Sequence, residues 1–265
     1  MNAKMRALFL GDVFGQPGCR ALFIGLKQLI NKYKADLTIV NGENACDGFG
    51  ITPEIADQLF YSGADVITTG NHIWQQQSII KYLDEKTEIL RPNNYPPGVP
   101  GKGMCFIESK KFGKAAVINL QGRTDLSRID CPFREAQGLI KKIRQETKLI
   151  FIDFHAENVE EKEALGLYLD GQVSAIIGTH THVPTADERI LSKGSAYISD
   201  AGMTGPADSV IGCKPNISIE RALTQIPIKM EVMESNAVIN GVLIETDMET
   251  GKSLSIERIS VVSAL

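Results

Sequence analysis

Five times in the first two thirds of the chain, a short β-branched or leucine-rich run stops at polar residues capable of chemistry, and a stretch of helical period follows. The runs are RALFLGD (6–12), LTIVNGEN (37–44), DVITTGNH (65–72), LIFIDFHAE (149–157) and SAIIGTHTH (174–182). Amphipathic segments at 17–30, 53–62, 74–84, 131–147 and 160–170 are expected to be helices. Pro17 and Pro53 suit first helical turns and Thr52 suits an N-cap. This βαβ rhythm points to an α/β fold with parallel strands and helices laid over them.

Two stretches break the rhythm. Residues 91–103, RPNNYPPGVPGKG, are too rich in Pro and Gly for regular structure and lead into a hairpin, CFIES then GKAAVINL. Beyond 186 the pattern turns to antiparallel strands, RIL, SAYIS, IPIKMEVM, AVINGVLIETD and SLSIERISVV. Both halves are accommodated by one mixed sheet or by two stacked mixed sheets flanked by helices. A length of 265 residues with 43% hydrophobic content supports one substantial core, so residues 1–265 read as a single domain. Residues 203–224, MTGPADSVIGCKPNISIERALT, form a Gly/Pro-rich loop and short helix, a possible lid over a site.

Every strong polar cluster falls directly after its apolar run. In open α/β sheets the carboxyl ends of the strands form the ligand-binding edge, so Asp12, Glu43, Asn44, Asn71, His72, His155, His180 and His182 are expected to converge there. Taken singly, Asp12 reads as a helix cap and the Asn–Gly pairs as turns. Taken together they do not, because all four histidines of the chain share that edge with the carboxylates. His180-Thr181-His182, read as extended backbone, puts both imidazoles on one side.

Nitrogen and oxygen donors without a thiolate exceed the needs of one tetrahedral zinc and suit two borderline cations, Fe or Mn first and Zn second. Glu43 is the natural bridge between them. Two cations about 3.5–4 Å apart serve in-line displacement at phosphorus.

The net charge of −4 and pI near 5.7 disfavour long nucleic acids, which demand several Lys or Arg contacts to phosphate. A small or neutral-surface partner is favoured. No apolar run approaches the roughly 20 residues of a membrane span, and the N-terminal run is too short for a secretion signal. Five scattered cysteines without a CxxC pair read as reduced thiols, and a cytoplasmic location is expected.

The ordered set GD-x-x-G, NGEN, GNH, FHAE and GTHTH resembles the calcineurin-like metallophosphoesterases. The string HTHVPTADERIL…GMTGPADSVIG narrows the resemblance to the YmdB-like branch, described as bacterial cyclic-nucleotide phosphodiesterases, over residues 6 to 261. Where the superfamily has Asp-x-His, this chain has Asp12-Val13-Phe14; where it has a bridging aspartate, this chain has Asn41-Gly42-Glu43-Asn44. The resemblance implies that Asp12, Glu43, Asn44 and His182 hold one metal and that Glu43, Asn71, His155 and His180 hold the other. It leaves His72 as general acid toward the departing ribose oxygen.

Weaker candidates are Arg91 and Arg123 as phosphate contacts, with Asn93 beside Arg91, and Trp74 and Tyr95 as base-stacking rings. Asp153, Asp187 and Asp200 are candidates for orienting histidines. Lys141, Lys142 and Arg144 give helix 131–147 a mild basic face. The reading is a phosphoric diester hydrolase acting on 2′,3′- or 3′,5′-cyclic nucleotides. The alternatives are a phosphomonoesterase, an RNA-directed nuclease, or a metal-binding regulatory protein acting through a partner.

Overall fold

Two mixed sheets pack face to face in the computed structural model, which describes residues 3–263. The first sheet contains β1 (Lys4–Leu10), β2 (Leu37–Asn41), β3 (Val66–Thr68) and β4 (Ile89–Leu90), all parallel. The second contains β5 (Met104–Ser109), β6 (Gly113–Gln121), β7 (Ile150–His155), β8 (Ala175–Thr179), β9 (Arg189–Ile190) and β10 (Ala196–Ile198), in the order β5-β6-β7-β8-β10-β9. The chain then returns to the first sheet through β11 (Gly205–Pro206), β12 (Ala237–Asp247) and β13 (Ser253–Ser263). β12 runs antiparallel beside β1, and β13 antiparallel beside β12.

Alternation along each strand builds three apolar layers. From β1, Met5, Ala7 and Phe9 point between the sheets, where they meet Val117 of β6, Phe151 of β7 and Ile177 of β8. Leu8 and Leu10 of the same strand point outward against α1 (Gly15–Tyr33) and α2 (Pro53–Ser62). On the far side, Ile118, Ile152 and Ile176 pack on α4 (Pro132–Ile143) and α5 (Val159–Leu169). Thr52 caps α2 by accepting from the Ile55 amide at 3.4 Å, and Pro53 occupies its first turn.

Two expectations are corrected. The helix placed at 74–84 is α3, Ile79–Glu85, because residues 71–78 are spent on turns that carry Asn71 and His72. The stretch IPIKMEVM is not a strand. Ile226, Pro227 and Lys229 face solvent, Met230 and Val232 pack on Phe14, Met203 and Cys213, Pro227 supplies no amide donor, and one bridge, Cys213 to Val232, is its share of β structure. Within 203–224, β11 pairs with β12 at the start, while α6 (Pro215–Thr224) buries none of its residues. No helix among the described residues is long and apolar enough to cross a membrane.

Candidate functional site

The carboxyl ends of β1, β2 and β3 meet those of β7 and β8 at one edge of the sandwich. Asp12 lies two residues beyond β1, Glu43 and Asn44 just beyond β2, and Asn71 and His72 beyond β3. His155 is the last residue of β7, and His180 follows β8. Backbone bonds lock these ends together: the Val13 amide donates to Asn41 O, Gly42 to Thr68 O and Gly15 to Asn44 O, all within 2.9 Å.

One group of donors converges on His155 Nε2. Asn71 Oδ1 lies 3.1 Å from that nitrogen, His180 Nδ1 3.0 Å and Glu43 Oε1 3.4 Å. The His155 ring rests on the backbone of Gly70, where a Cβ would fall 2.1 Å from His155 Cδ2, so only glycine fits. A second group lies beside it. Asn44 Nδ2 is 3.0 Å from His182 Nε2, and Asn44 Oδ1 is 2.7 Å from His72 Nδ1. Asp12 Oδ2 accepts the His180 amide at 3.1 Å, and Glu43 Oε1 accepts the His72 amide at 2.7 Å.

Two buried carboxyl groups in this cluster are left with unsatisfied oxygens. Asp12 and Glu43 are fully buried, and Asp12 Oδ1 and Glu43 Oε2 have no hydrogen-bond partner among the described residues. Burial pushes the Glu43 carboxyl up to about 7 and raises that of Asp12 as well. Burial pushes the His155 imidazole down to about 4 and that of His180 to about 2, so both rings are neutral and able to ligate. Orphaned carboxyl oxygens, whose charged form burial disfavours, fit a hard-to-borderline metal ion when they lie beside neutral imidazoles. Among the described residues, no three His, Cys, Asp or Glu side chains surround a single open point; the donors close on one another instead.

The partners behind the histidines fix which nitrogen faces the cluster. Ile211 O can only accept, so His182 Nδ1, 2.9 Å away, carries its proton and Nε2 is left for a ligand. His155 Nδ1 meets Thr179 Oγ1 at 2.9 Å, and Thr179 in turn donates to Asp153 Oδ1 at 2.7 Å. Glu157 stands 3.0 Å from His180 Nε2, which turns His180 Nδ1 inward. Asp153 also accepts from Asn41 and Thr68, joining the two sheets just beneath the donors.

His180-Thr181-His182 is not extended, contrary to the expectation for this triplet. β8 ends at Thr179, and both histidines have left-handed backbone, with φ of 105° and 68°. They converge because the turn between them is clamped. Thr181 donates through its amide and its hydroxyl to Asp200 Oδ2, at 3.0 and 2.9 Å, and Gly202 donates to Oδ1 at 2.9 Å. Lys162 Nζ supplies the countercharge at 2.9 Å, with both side chains 1% exposed. Lys162 was missed in the sequence, although its spacing to Leu165, Gly166 and Leu169 sets a lysine in the buried stripe of α5. Glu157 and Thr179 were missed too, the first as the tail of FHAE and the second as an ordinary strand residue.

The remaining candidates separate by what they touch. Asp153 and Asp200 act behind histidines, whereas Asp187 binds Thr185 and Ser199 and ties their loop. Arg91 gives its guanidinium to the carbonyls of Pro92, Asn93 and Pro100, so it clamps the 91–103 loop instead of facing a phosphate. Asn93 bonds Glu135. Arg123 is exposed and lines a shallow depression with Arg128. Tyr95 is not a free stacking surface: its hydroxyl bonds Gly70 O and Gln121 Oε1, and Trp74 packs beside it in the outer core. Lys141, Lys142 and Arg144 are exposed on and just beyond α4.

Comparison with known proteins gives the family of the chain. A curated relative from Bacillus subtilis (strain 168), named 2′,3′-cyclic-nucleotide 2′-phosphodiesterase, is 48% identical over 258 residues, 97% of each chain. A solved structure of a phosphatase from Mycoplasma pneumoniae superposes with a TM-score of 0.92 at 38% identity, covering 99% of this chain and 95% of the other. A structure from Thermus thermophilus, described as a hypothetical protein, gives 0.90 at 36% identity, covering 98% and 100%. The profile of the YmdB-like proteins matches residues 8–259, and the chain belongs to the YmdB-like family.

Proposed function

We propose that the chain is a metal-dependent phosphodiesterase that opens small cyclic nucleotides, with 2′,3′-cyclic nucleotides as first substrates and 3′,5′-cyclic nucleotides second. The observation that carries this reading is the meeting of Glu43, Asn71 and His180 at His155 Nε2, within 3.4 Å, beside buried carboxyl oxygens that no described residue hydrogen-bonds. The donor set fits two cations of the Fe, Mn or Zn type. Asp12, Glu43, Asn44 and His182 would hold one, and Glu43, Asn71, His155 and His180 the other. Such ions supply Lewis acidity toward phosphoryl oxygens and lower the pKa of water.

The chain's own residues supply position and protons. The neutral rings of His155 and His180 present their inner nitrogens because Thr179 and Glu157 hold the outer ones. His72 donates Nδ1–H to Asn44 Oδ1, so Nε2, which bonds none of the described residues, is the nitrogen that takes up and releases a proton. Once protonated there, His72 gives its proton to the departing ribose oxygen as the phosphorus–oxygen bond breaks. The edge of the site is walled by the 203–214 segment, since Met203 donates its amide to His182 O and Ile211 O receives His182 Nδ1. Five free cysteines, three of them buried, fit a reducing cytoplasm.

The test is His72→Asn, assayed with 2′,3′- and 3′,5′-cyclic nucleotides and an oligoribonucleotide, with metal content measured by mass spectrometry. Metal content is expected to hold while cyclic-nucleotide turnover falls about 10²–10⁴-fold, the usual worth of a positioned acid. A fully active variant removes His72 from the chemistry. Wild-type protein that ignores cyclic nucleotides removes the substrate assignment.

A further inference from the structure

We propose that Phe49 is the platform on which the substrate's nucleobase stacks. The inference rests on the cyclic-nucleotide reading above and deepens it. Phe49 belongs to the segment Asn44–Gly50, which leaves β2 directly behind Glu43 and Asn44. Phe49 is 43% exposed, and its ring centroid lies 5.0 Å from that of His72, edge to face at 63°.

The ring is held there by a tightly bonded loop. Cys46 donates to Gly50 O, Phe49 to Cys46 O and Gly50 to Glu43 O, each at 2.8 Å, and Gly48 donates to Asn44 O at 3.1 Å. Gln76 Nε2 fixes the Phe49 carbonyl at 2.8 Å. Left-handed backbone at Asp47, Gly48 and Gly50, with φ of 50°, 85° and 75°, turns the chain so sharply that the phenyl is put outside. Gly48 has no room for a side chain, because a Cβ would sit 2.9 Å from Phe14 Cζ. A phenyl serving packing alone gains by turning inward, and this one is kept at the rim of a polar site.

A cyclic nucleotide carries its base one ribose away from the phosphate, and Phe49 stands one ring away from the proposed proton donor. An aromatic face there stacks any base without a hydrogen-bond code, so purines are favoured over pyrimidines only by their larger area. The other rings near the site do not compete: Tyr95 is buried and bonded, and Phe14 is buried against His182.

The experiment compares 2′,3′-cyclic AMP with base-less ribose 2′,3′-cyclic phosphate in wild-type protein, Phe49→Ala and Phe49→Trp, each with metal content measured. In Phe49→Ala the preference for the nucleotide, as a ratio of kcat/KM values, is expected to fall about tenfold, mainly through KM, at the low end of a stacked base. Phe49→Trp is expected to restore it. An unchanged ratio, or equal losses on both substrates showing that Phe49 merely props His72, overturns the platform. If wild-type protein hydrolyses neither cyclic phosphate, the substrate reading itself falls and the platform falls with it.

Discussion

Replacing Lys162 with methionine isolates the clamp behind the two distal histidines. Lys162 and Asp200 are each 1% exposed, and Nζ lies 2.9 Å from Oδ2. At an effective dielectric constant of about 20, a pair at that distance attracts by roughly 6 kcal/mol before desolvation is counted. The carboxylate keeps its donors from Thr181 and Gly202 when the lysine is lost, which softens the loss. Methionine keeps the apolar stem that passes Gly178, where Lys162 Cδ would lie 3.2 Å from a Cβ. What remains is one uncompensated buried charge, so Lys162→Met is expected to cost about 3–5 kcal/mol. The loss is read from urea unfolding and corresponds to roughly 10 °C in Tm. Asp200→Asn is expected to cost a similar amount, by stranding the ammonium. The double variant has no stranded charge and should lose only about 1–2 kcal/mol, from weakened hydrogen bonds to the turn. A loss below about 1 kcal/mol in Lys162→Met, or additive losses across the cycle, would refute the reasoning.

Gly70→Ala drives a methyl group into the His155 ring, and since a misplacement of about 1 Å can cost 10²-fold, turnover should fall by about that factor. Metal content and far-ultraviolet circular dichroism, measured together, separate ring displacement from unfolding; wild-type turnover in this variant would contradict the packing. Burial pushes the Cys19 and Cys105 thiols up to about 12, so at pH 8 the native protein should react with a thiol reagent first at the half-buried Cys131 and Cys46. Peptide mapping after brief labelling checks the order, and early labelling of Cys19 would show that the outer core opens readily.

Residue types placed after apolar runs identified the site edge, because strand ends are visible in a sequence as abrupt changes of polarity. AVINGVLIETD matches β12 residue for residue, and 53–62 matches α2, since alternation and a Thr-Pro start carry their own boundaries. The turn at His180–His182 was not legible. Its conformation is imposed from outside, by Asp200 acting on Thr181, and nothing in the triplet itself departs from an ordinary strand end. IPIKMEVM failed for the opposite reason: its alternation is real, but no neighbouring strand is available to pair it. Arg91 failed because a guanidinium after a strand meets phosphate and backbone carbonyls equally well, and the loop's own carbonyls were nearer. Phe49 gave no periodic signal, lying in a loop whose path is set by its glycines.

The donors are divided between the sheets. Asp12, Glu43, Asn44 and Asn71 come from the strands of one layer, and His155, His180 and His182 from the other. An ion held by these groups, as proposed above, would act as a rivet through the sandwich, set directly above the Asp153 bonds to Asn41 and Thr68. Sliding one layer over the other would tear the site open before it disturbed either set of strands. Each tenfold excess of such an ion over its dissociation constant would then add about 1.4 kcal/mol to the free energy that keeps the layers in register.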